Sequence, residues 1–532
     1  MPDSGMDTAF PYPSRRMPVL ARNVVATSQP LAAQAGLAAL REGGNAVDAA
    51  LATAIALTVV EPTSNGIGSD AFALIWDGSL LHGFNGSGRA PAAWTPDRFR
   101  ALESMPTMGW ESVTVPGAVD TWVRLSERFG KLPFERLFRD AIRYAEDGFL
   151  VSPITAAAWA KGVERLKGRC DFRHAFALDD HRGPDPGELF RHPEQADTLH
   201  AIAESKGQAF YQGDLAHKML LHSDSEGGAM TADDLASHAG EWVEPLSCSF
   251  ESSDLYELPP NGQGIVALIA LGILRFTDLA SHRVDSPEAI HLQVEAIKLA
   301  FEVAFREVAD PATMAVTPQS LLDEEALRSL AATIEPGRAI PRTLKPRVDY
   351  GTVYLCAADA SGMMVSFIQS NYMGFGSGVV VPRTGISLQN RGAGFVLTPG
   401  HPNQVGGGKR PYQTIIPAFA MRGGAPHLAF GVMGGHMQPQ GHLQVFLRRQ
   451  LWGQNPQAAL DAPRWQVDET GKVLHLEAGF DPACAARLAE WGHPVAPGGA
   501  PGLFGGGQVI ERLPIGYAAG SDPRKDGYAV GF

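Results

Sequence analysis

The spacing of apolar and polar residues predicts helices and strands from the first residues onward. Residues 46–60 are apolar on every side, which predicts a buried helix, and residues 31–41 predict a helix next to it. Short β-branched and aromatic runs predict strands over 23–27, 71–76 and 80–84. The start of the chain is therefore expected to mix both kinds of element.

The rest of the chain divides into two parts by its pattern. From residue 117 to about residue 340 it predicts mainly helices joined by short loops, over 120–128, 134–147, 194–204, 213–222, 232–237 and 287–308. After residue 351 the pattern changes to strands, predicted over 352–358, 363–369, 385–389, 415–421 and 427–432. We therefore expect an α/β fold.

Composition limits the partners that the protein can have. The 532 residues are 45% apolar, enough for one large layered unit, and a formal net charge of −13 argues against nucleic acid. Residues 1–16 lack the apolar segment of a secretory signal, and 46–60 is too short to span a membrane. His436 and His442 lack the spacing of metal ligands and are interpreted as histidines that are structural or lie at the edge of a site. The four widely spaced cysteines suit reduced thiols and offer no metal site, so we expect a cytoplasmic protein without a metal.

Gly351 and Thr352 form a junction directly before the strand predicted at 352–358. A threonine hydroxyl is a weak nucleophile and needs a base. If the chain is cut between these two residues, the α-amine of Thr352 can be that base, and Gly351 allows the backbone conformations that a cut requires. On these residues alone, a turn that leads into a core strand is the simpler interpretation.

Short motifs along the whole chain change that interpretation. They lie at residues 44–50, 60–68, 115–117, 128–133, 241–246, 351–352, 376–378, 409–411 and 434–435. In content and in order they resemble the gamma-glutamyltranspeptidase family. The resemblance implies a four-layer αββα sandwich of the N-terminal nucleophile hydrolase type, no cofactor, and a precursor that cuts itself. Its products would be a large subunit, 1–351, and a small subunit, 352–532, which remain together as a heterodimer that could pair further.

The resemblance also implies a set of catalytic residues. Thr352 would be the nucleophile, and Ser370 stands where the family has a second threonine that hydrogen-bonds the nucleophile. Gly434 and Gly435 match paired glycines whose backbone N–H groups face the oxyanion of the reaction. These positions retain the chemistry that the family requires.

The positions that would bind the substrate depart from the family pattern. Aligned on Phe395, the glutamine and the aspartate that hold the α-ammonium of the family's substrate are Arg391 and Gly394 here. Two family serines are likewise replaced by Gln413 and Thr414. The loss of a carboxylate at Gly394 and the gain of a guanidinium at Arg391 predict a pocket that favours an anion over an ammonium.

Three further residues are candidates for contacts with the substrate. The family's carboxylate-binding arginine aligns with Ser87, two residues before Arg89, so Arg89 either reaches the site or is an ordinary surface arginine. Tyr372 occupies the place of the family's substrate-binding asparagine, and Asn371 can replace that asparagine only with a slip of one residue.

We therefore predict a self-processing N-terminal threonine amidohydrolase or acyltransferase that acts on the amide of a small carboxylate-bearing substrate, with oxamate as a candidate. A true gamma-glutamyltransferase or glutathione hydrolase, and a cephalosporin-acylase-like enzyme, are alternatives within the family. An uncleaved scaffold protein is the alternative without catalysis. The joint presence of Gly351, Thr352, Ser370 and the glycine pair Gly434 and Gly435 favours an enzyme.

Overall fold

A computed structural model describes residues 16–344, 351–468, 470–499 and 502–532. The polar N-terminal segment, apart from residue 16, lies outside the described residues. The same holds for the residues directly before Gly351, so the junction is described from Gly351 onward.

Strands occur along the whole length of the described residues. They are β1 (Val19–Ala21), β2 (Val24–Thr27), β3 (Asp70–Trp76), β4 (Leu81–Asn85), β5 (Phe149–Leu150), β6 (Leu189–Phe190), β7 (Glu241–Val243), β8 (Leu246–Phe250), β9 (Ser253–Glu257), β10 (Gly351–Ala358), β11 (Met364–Tyr372), β12 (Val380–Val381), β13 (Ile386–Ser387), β14 (Ala418–Arg422), β15 (Ala425–Met433), β16 (Trp465–Val467), β17 (Leu474–Leu476), β18 (Val495–Pro497), β19 (Gly506–Arg512), β20 (Tyr517–Ser521) and β21 (Tyr528–Gly531).

The α-helices are distributed over the same residues. They are α1 (Pro30–Arg41), α2 (Ala46–Val60), α3 (Ala118–Phe129), α4 (Arg139–Asp147), α5 (Pro153–Leu166), α6 (Cys170–Phe176), α7 (Pro193–Ser205), α8 (Gln208–Tyr211), α9 (Asp214–Ser225), α10 (Ala232–Ala236), α11 (Gly264–Leu274), α12 (Pro287–Glu307), α13 (Glu324–Ala331), α14 (Met437–Gln450), α15 (Pro456–Asp461) and α16 (Pro482–Glu490).

Two seven-stranded antiparallel sheets organise the protein. The β15 sheet has the order β1-β20-β19-β15-β14-β9-β8, and the β10 sheet has the order β21-β2-β10-β11-β3-β4-β7. Each sheet combines strands from before and after the Gly351–Thr352 junction. The two parts of the chain therefore form one folded unit through shared ladders of hydrogen bonds.

The three largest apolar cores of the described residues lie between the layers of this unit, which are the two sheets and the helices that cover them. One core lies between the two sheets and includes Tyr354, Ile368 and Phe419. A second core packs α1 to α7 against the outer face of the β10 sheet, and a third packs α11, α12 and α14 against the β15 sheet. The structure thus has a mixed α/β fold in which the inner faces of two sheets meet.

Helix α2 shows why an entirely apolar segment becomes a central helix. All of its residues are buried. Its N-terminus is capped by the side chain of Asn45, which accepts hydrogen bonds from the N–H groups of Val47 and Asp48. The Asp48 carboxylate accepts from Asn45 in return and also from Lys131 and Leu132, which fixes the loop after α3.

The most apolar helices are core helices in this structure. Helix α2 has 15 residues and α11 has 11, and every residue of both is buried. Within the described residues, no helix combines the length and the apolar character that a membrane crossing requires.

Most predicted elements are present, with bounds that shift by a few residues. One helix over 134–147 is wrong in its first part, because a 3-10 turn covers Phe134–Phe138 before α4 begins. The mainly helical interpretation of residues 117–340 missed the short pair β5 and β6. It also missed β7 and β8, which are edge strands of the two large sheets, and β9, which lies between β8 and β14. Residues of β8 alternate between buried and exposed, the period of a strand, over only five positions.

Helix α14 was also missed, because polar residues interrupt the apolar ones along its buried length. Gln440 bonds the backbone N–H and C=O of Val467, and Gln444 does the same for Trp465. These side chains take up the backbone hydrogen-bonding groups of β16 on the edge where no other strand pairs with it. The buried glutamines stand between buried apolar residues such as Leu443 and Phe446, so the apolar periodicity of this helix is weak.

The contact between α1 and α2 depends on Gly36, and this is open to a test. A Cβ at Gly36 would lie 2.2 Å from Thr53 Oγ1 and 2.8 Å from the backbone oxygen of Ala49. We expect Gly36→Ala to lower the free energy of unfolding by about 2 kcal/mol, because overpacking outweighs the better helix propensity of alanine. Gly168→Ala is the matched control, since no atom lies within 4 Å of its Cβ position. Thermal unfolding of both variants measures the effect, and equal midpoints would contradict it.

Candidate active site

Thr352 and Ser370 lie side by side on β10 and β11, and both are buried. Thr352 Oγ1 is 3.0 Å from Ser370 Oγ. Ser370 Oγ donates to the carbonyl oxygen of Gly351 at 2.6 Å and accepts from the N–H of Tyr372 at 2.8 Å. A hydroxyl has one proton, and a carbonyl can only accept it, so the Thr352 hydroxyl is the donor to Ser370. One hydroxyl therefore contacts groups on both sides of the Gly351–Thr352 peptide bond.

The ladder between β10 and β11 is irregular at this point. Gly351 pairs with Tyr372 and Val353 pairs with Gln369, so two residues of β11 stand opposite Thr352. Bulges of this kind redirect side chains and are common beside active sites. Tyr372 has a φ of +76°, which is strained for a bulky residue. Gly351 has no room for a Cβ, which would lie 2.7 Å from backbone atoms of the loop after β11.

The side chain of Asn371 is engaged by two serines and not by Thr352. Asn371 Oδ1 accepts from Ser69 at 2.8 Å, and its Nδ2 donates to Ser387 at 3.0 Å. The prediction that Asn371 binds the substrate gains no support from this geometry.

Arg391 is buried next to Tyr372 and is 1% exposed. Its Nη1 donates to Thr414 Oγ1 at 2.6 Å, and its guanidinium carbon lies 4.7 Å from the centre of the Tyr372 ring. Its Nε and Nη2 have no hydrogen-bond partner among the described residues. A buried guanidinium with two nitrogens that lack partners can bind a carboxylate or another anion.

Asp70 is fully buried, and its charge acts on Arg391. Its carboxylate accepts from the N–H groups of Gly88 and Gly117 at 3.3 and 3.1 Å and from Gln413 Nε2 at 2.9 Å. Burial raises the pKa of Asp70 to about 6, although the charge of Arg391 acts to lower it. Burial also lowers the pKa of Arg391 to about 10, and the Asp70 charge opposes that shift.

Gly434 and Gly435 form the turn between β15 and α14. Their φ angles are +127° and +57°, which favour glycine. Neither N–H has a hydrogen-bond partner among the described residues, and both lie at the N-terminus of a helix, where negative charge is stabilised. Strand β15 packs closely against β10. A Cβ at Gly431 of β15 would lie only 2.5 Å from the ring of Tyr354, which is two residues after Thr352 on β10.

Gln263 connects the glycine pair to the polar residues around Arg391. Its Nε2 donates to the carbonyl oxygen of Thr414 at 2.7 Å and to that of Gly435 at 2.9 Å. Its Oε1 accepts from the Tyr412 hydroxyl at 3.3 Å. One side chain at the start of α11 thus holds two loops from the other part of the chain in register.

A cavity of about 470 Å³ opens beside Tyr372. Its other lining residues include Phe305, Phe395, His401, Tyr412 and His436. A concave site with aromatic walls and a few polar groups is typical of a small-molecule site. The cavity adjoins the Ser370 contact through Tyr372 and the glycine pair through His436.

Arg89 is not part of this lining. Its side chain is 42% exposed, its Nη2 pairs with Glu241 at 2.9 Å, and its Nη1 pairs with Asp310 at 3.1 Å. Ser87, at the family's arginine position, is buried and donates to Asn85 at 2.7 Å. The geometry favours the interpretation of Arg89 as a structural arginine near the surface.

Two clusters in the described residues bring histidines and acidic groups close enough to share an ion. They are His291, Glu295 and His493, and Asp171, His222 and Glu226. In each, a basic side chain already pairs with an acid: Lys298 with Glu295 at 2.8 Å, and Arg169 with Glu226 at 2.9 Å. These contacts oppose a cation, and the expectation of a site without a metal stays a prediction.

Comparison with known proteins places the chain in a family. The sequence model of the family described as gamma-glutamyltranspeptidase matches residues 32–532. The chain belongs to the gamma-glutamyltranspeptidase family. It is therefore an enzyme of the amide hydrolase and acyltransferase class, and the scaffold alternative is not needed.

Relatives of this family member carry several names. The glutathione hydrolase-like YwrD proenzyme of Bacillus subtilis is 37% identical over 96% of this chain and 98% of its own. The oxamate amidohydrolase proenzyme of Klebsiella pneumoniae is 38% identical over 94% of this chain and 97% of its own. The crystal structure of cephalosporin acylase from Bacillus halodurans is 47% identical, with a TM-score of 0.95, and covers 100% of this chain and 99% of that one.

Asp70 and Gln263 are the residues of this gamma-glutamyltranspeptidase family member that sequence reasoning missed. Asp70 stands at the start of a strand, and Gln263 stands between two glycines at the entry of a helix. Both patterns are typical of ordinary structural positions. The only signal available was that Asp70 lies two residues after the motif at 60–68. That motif meets Asn371 of β11 and Gln389, shortly before Arg391, only in the folded chain.

The coupling between Asp70 and Arg391 gives a pH-dependent prediction. The folded pKa of Asp70, about 6, exceeds its unfolded value of about 3.9, so Asp70 stabilises the fold most below about pH 4 and loses that contribution as pH rises through about 6. Arg391→Met removes the charge that favours ionised Asp70, so its pKa rises and the loss extends to higher pH.

We expect the thermal midpoint of Arg391→Met to fall more steeply than that of the wild type between about pH 6 and pH 8. The exposed Arg100 supplies the control variant Arg100→Met. Parallel profiles for all three proteins would show that Arg391 does not act on Asp70.

Proposed function

We propose that the protein is a self-processing N-terminal threonine amidohydrolase or acyltransferase. The observation that carries this proposal is the position of the Ser370 hydroxyl, 3.0 Å from Thr352 Oγ1 and 2.6 Å from the Gly351 carbonyl oxygen. A hydroxyl in this position can stabilise the negative charge that develops on the carbonyl oxygen during a cut at Gly351–Thr352. The names of the relatives as proenzymes support the same function.

Self-processing begins when Thr352 Oγ1 attacks the carbonyl carbon of Gly351. The new C–O bond replaces the C–N bond to Thr352, and the hydroxyl proton ends on the released amine. Ser370 donates to the carbonyl oxygen and so stabilises the negative charge that develops there. Water then hydrolyses the ester, which leaves a carboxyl group on Gly351 and a free α-amine on Thr352.

The mature enzyme uses the same hydroxyl on its substrate. The α-amine of Thr352 accepts the hydroxyl proton, and Oγ1 attacks the carbonyl of the bound amide. The N–H groups of Gly434 and Gly435 hold the oxyanion while the amine leaves with that proton. Water or another amine then attacks the acyl-enzyme, which gives hydrolysis or transfer.

The acyl group of the substrate bears a carboxylate in this proposal. Arg391 supports it, because its Nε and Nη2 are buried without partners among the described residues and its guanidinium lies over the ring of Tyr372, which lines the cavity. Thr414 orients the guanidinium through Nη1, and Gln413 holds Asp70. Oxamate, which has a carboxylate next to an amide, fits this arrangement and is the substrate named for the Klebsiella relative.

A second candidate is an acylase for larger carboxylate-bearing amides. The cavity of about 470 Å³ with its aromatic walls is far larger than oxamate requires. The likeness to the Bacillus halodurans cephalosporin acylase supports this candidate. Glutathione hydrolysis is less well supported, because the position of the ammonium-binding aspartate is Gly394, a residue without a side chain.

The mature protein is proposed to be a heterodimer with a four-layer αββα fold. The large subunit would be residues 1–351 and the small subunit residues 352–532. Strands β2 and β3 of the first flank β10 and β11 of the second in one sheet. The shared sheets and cores would keep the subunits together after the cut.

The nucleophile assignment is tested by Thr352→Ala and Thr352→Ser. We expect the alanine variant to remain one uncut chain without amidase activity, because it lacks the attacking oxygen. The serine variant keeps a hydroxyl and should be cut. Intact mass under denaturing conditions, with N-terminal sequencing of the smaller chain, measures the outcome. Normal cleavage of the alanine variant would refute the assignment.

The anion site is tested by comparing oxamate with oxamide, its uncharged counterpart. We expect Arg391→Met to lower kcat/KM for oxamate by about 10- to 100-fold relative to oxamide, the size of a lost charged hydrogen bond. Arg89→Met is the matched control and should change this ratio by less than about threefold, because Arg89 already pairs with two carboxylates. If Arg89→Met changed this ratio more than Arg391→Met, the anion site would have to be assigned to Arg89 instead.

A further inference from the structure

His436 lies at the N-terminus of α14, directly after Gly434 and Gly435, and lines the cavity. Aromatic rings hold its imidazole in place: the ring centres of Phe301, Phe305 and Tyr412 lie 5.9, 5.4 and 6.1 Å from that of His436. The side chain is thus positioned next to the proposed oxyanion site. The proposed mechanism assigns it no role.

The hydrogen bonds of Gln263 decide which nitrogen of His436 carries the proton. Gln263 Nε2 donates to two carbonyl oxygens, those of Thr414 and Gly435, so its Oε1 must be the acceptor on the other side of the amide. His436 Nδ1 lies 3.0 Å from that Oε1. His436 Nδ1 is therefore the donor, and its other nitrogen, Nε2, carries a lone pair.

The environment keeps the imidazole in this neutral form. Burial lowers the pKa of His436 to about 4, and the N-terminus of a helix disfavours positive charge. No partner of Nε2 occurs among the described residues, and Nδ1 is directed to Gln263. Nε2 is therefore a hydrogen-bond acceptor at the cavity wall.

The other histidine of the cavity, His401, cannot act in this way. Its Nε2 donates to the carbonyl oxygen of Phe305 at 2.9 Å, and its Nδ1 accepts from the N–H of Asn403 at 3.0 Å. Both nitrogens are engaged by the protein. The contrast makes the open acceptor of His436 specific to that position.

We propose that Nε2 of His436 accepts a hydrogen bond from the N–H of the scissile amide and so selects amides over esters. This inference rests on the proposed function, because it places the carbonyl oxygen of the substrate at Gly434 and Gly435. The amide nitrogen is bonded to the same carbon as that oxygen, which brings its N–H to the residue that follows the glycines. An ester has an oxygen in place of the N–H. Its lone pair would face the lone pair of His436 Nε2, and no hydrogen bond could form.

The test compares N-ethyloxamate with monoethyl oxalate, which differ only in N–H against O. The variants are His436→Asn, whose amide can still donate to Gln263 from the position of Nδ1, and His436→Gln, whose amide oxygen reaches the position of Nε2. We expect His436→Asn to lower kcat/KM for the amide about tenfold more than for the ester, since one donor is left unpaired. In His436→Gln the ratio of kcat/KM for the amide to that for the ester should return most of the way to the wild-type ratio.

An equal loss on both substrates, or no loss on either, would overturn the assignment of His436. Because kcat/KM reports the steps up to acylation, a slow hydrolysis of the acyl-enzyme does not mask the result. A wild-type protein that is cut but cleaves neither compound would instead count against the proposed carboxylate-bearing substrate.

Nitrogen-15 NMR of histidine side chains tests His436 without turnover. In the uncut Thr352→Ala chain we expect an unprotonated Nε2 at neutral pH, assigned by its absence in the double variant with His436→Asn. N-ethyloxamate should shift this signal toward a hydrogen-bonded value. A proton on Nε2, or a signal that saturating N-ethyloxamate leaves in place, contradicts the inference.

Discussion

The Ser370 hydroxyl makes three hydrogen bonds, and the rest of the candidate site is arranged around them. It donates to Gly351, accepts from Thr352, and accepts from the backbone of Tyr372. These contacts require the bulge between β10 and β11 and the left-handed backbone of Tyr372. Such strain persists only where its surroundings hold it. Here the neighbouring strands, β2 and β3, are from the other side of the junction.

A buried polar network extends from this centre to both proposed ends of the substrate. Arg391 bonds Thr414, and Gln263 bonds the backbone of Thr414 and of Gly435. The same glutamine sets the tautomer of His436. Buried polar groups are costly unless each is satisfied. The nitrogens of Arg391 and His436 that have no partner in this network are therefore the places where a hydrogen bond to a ligand adds most to the binding free energy.

Local sequence determined the elements with strong periodicity. Helix α2 was predicted with its observed bounds, and β10 and β15 within a residue or two, because burial of apolar side chains dominates those segments. Strands β8 and β9 and helix α14 escaped prediction. The two strands are too short to show a clear period, and the buried residues of α14 mix apolar side chains with glutamines that bond strand β16.

The sequence by itself determined the family, the candidate nucleophile and the order of the motifs, since each depends on residues that are adjacent in the chain. The tertiary structure alone decided where side chains point. It bonded Asn371 to Ser69 and Ser387, paired Arg89 with Glu241 and Asp310, and brought the charges of Asp70 and Arg391 close enough to act on each other. The physical reason is that burial, side-chain hydrogen bonding and ion pairing depend on neighbours that are far away in the chain.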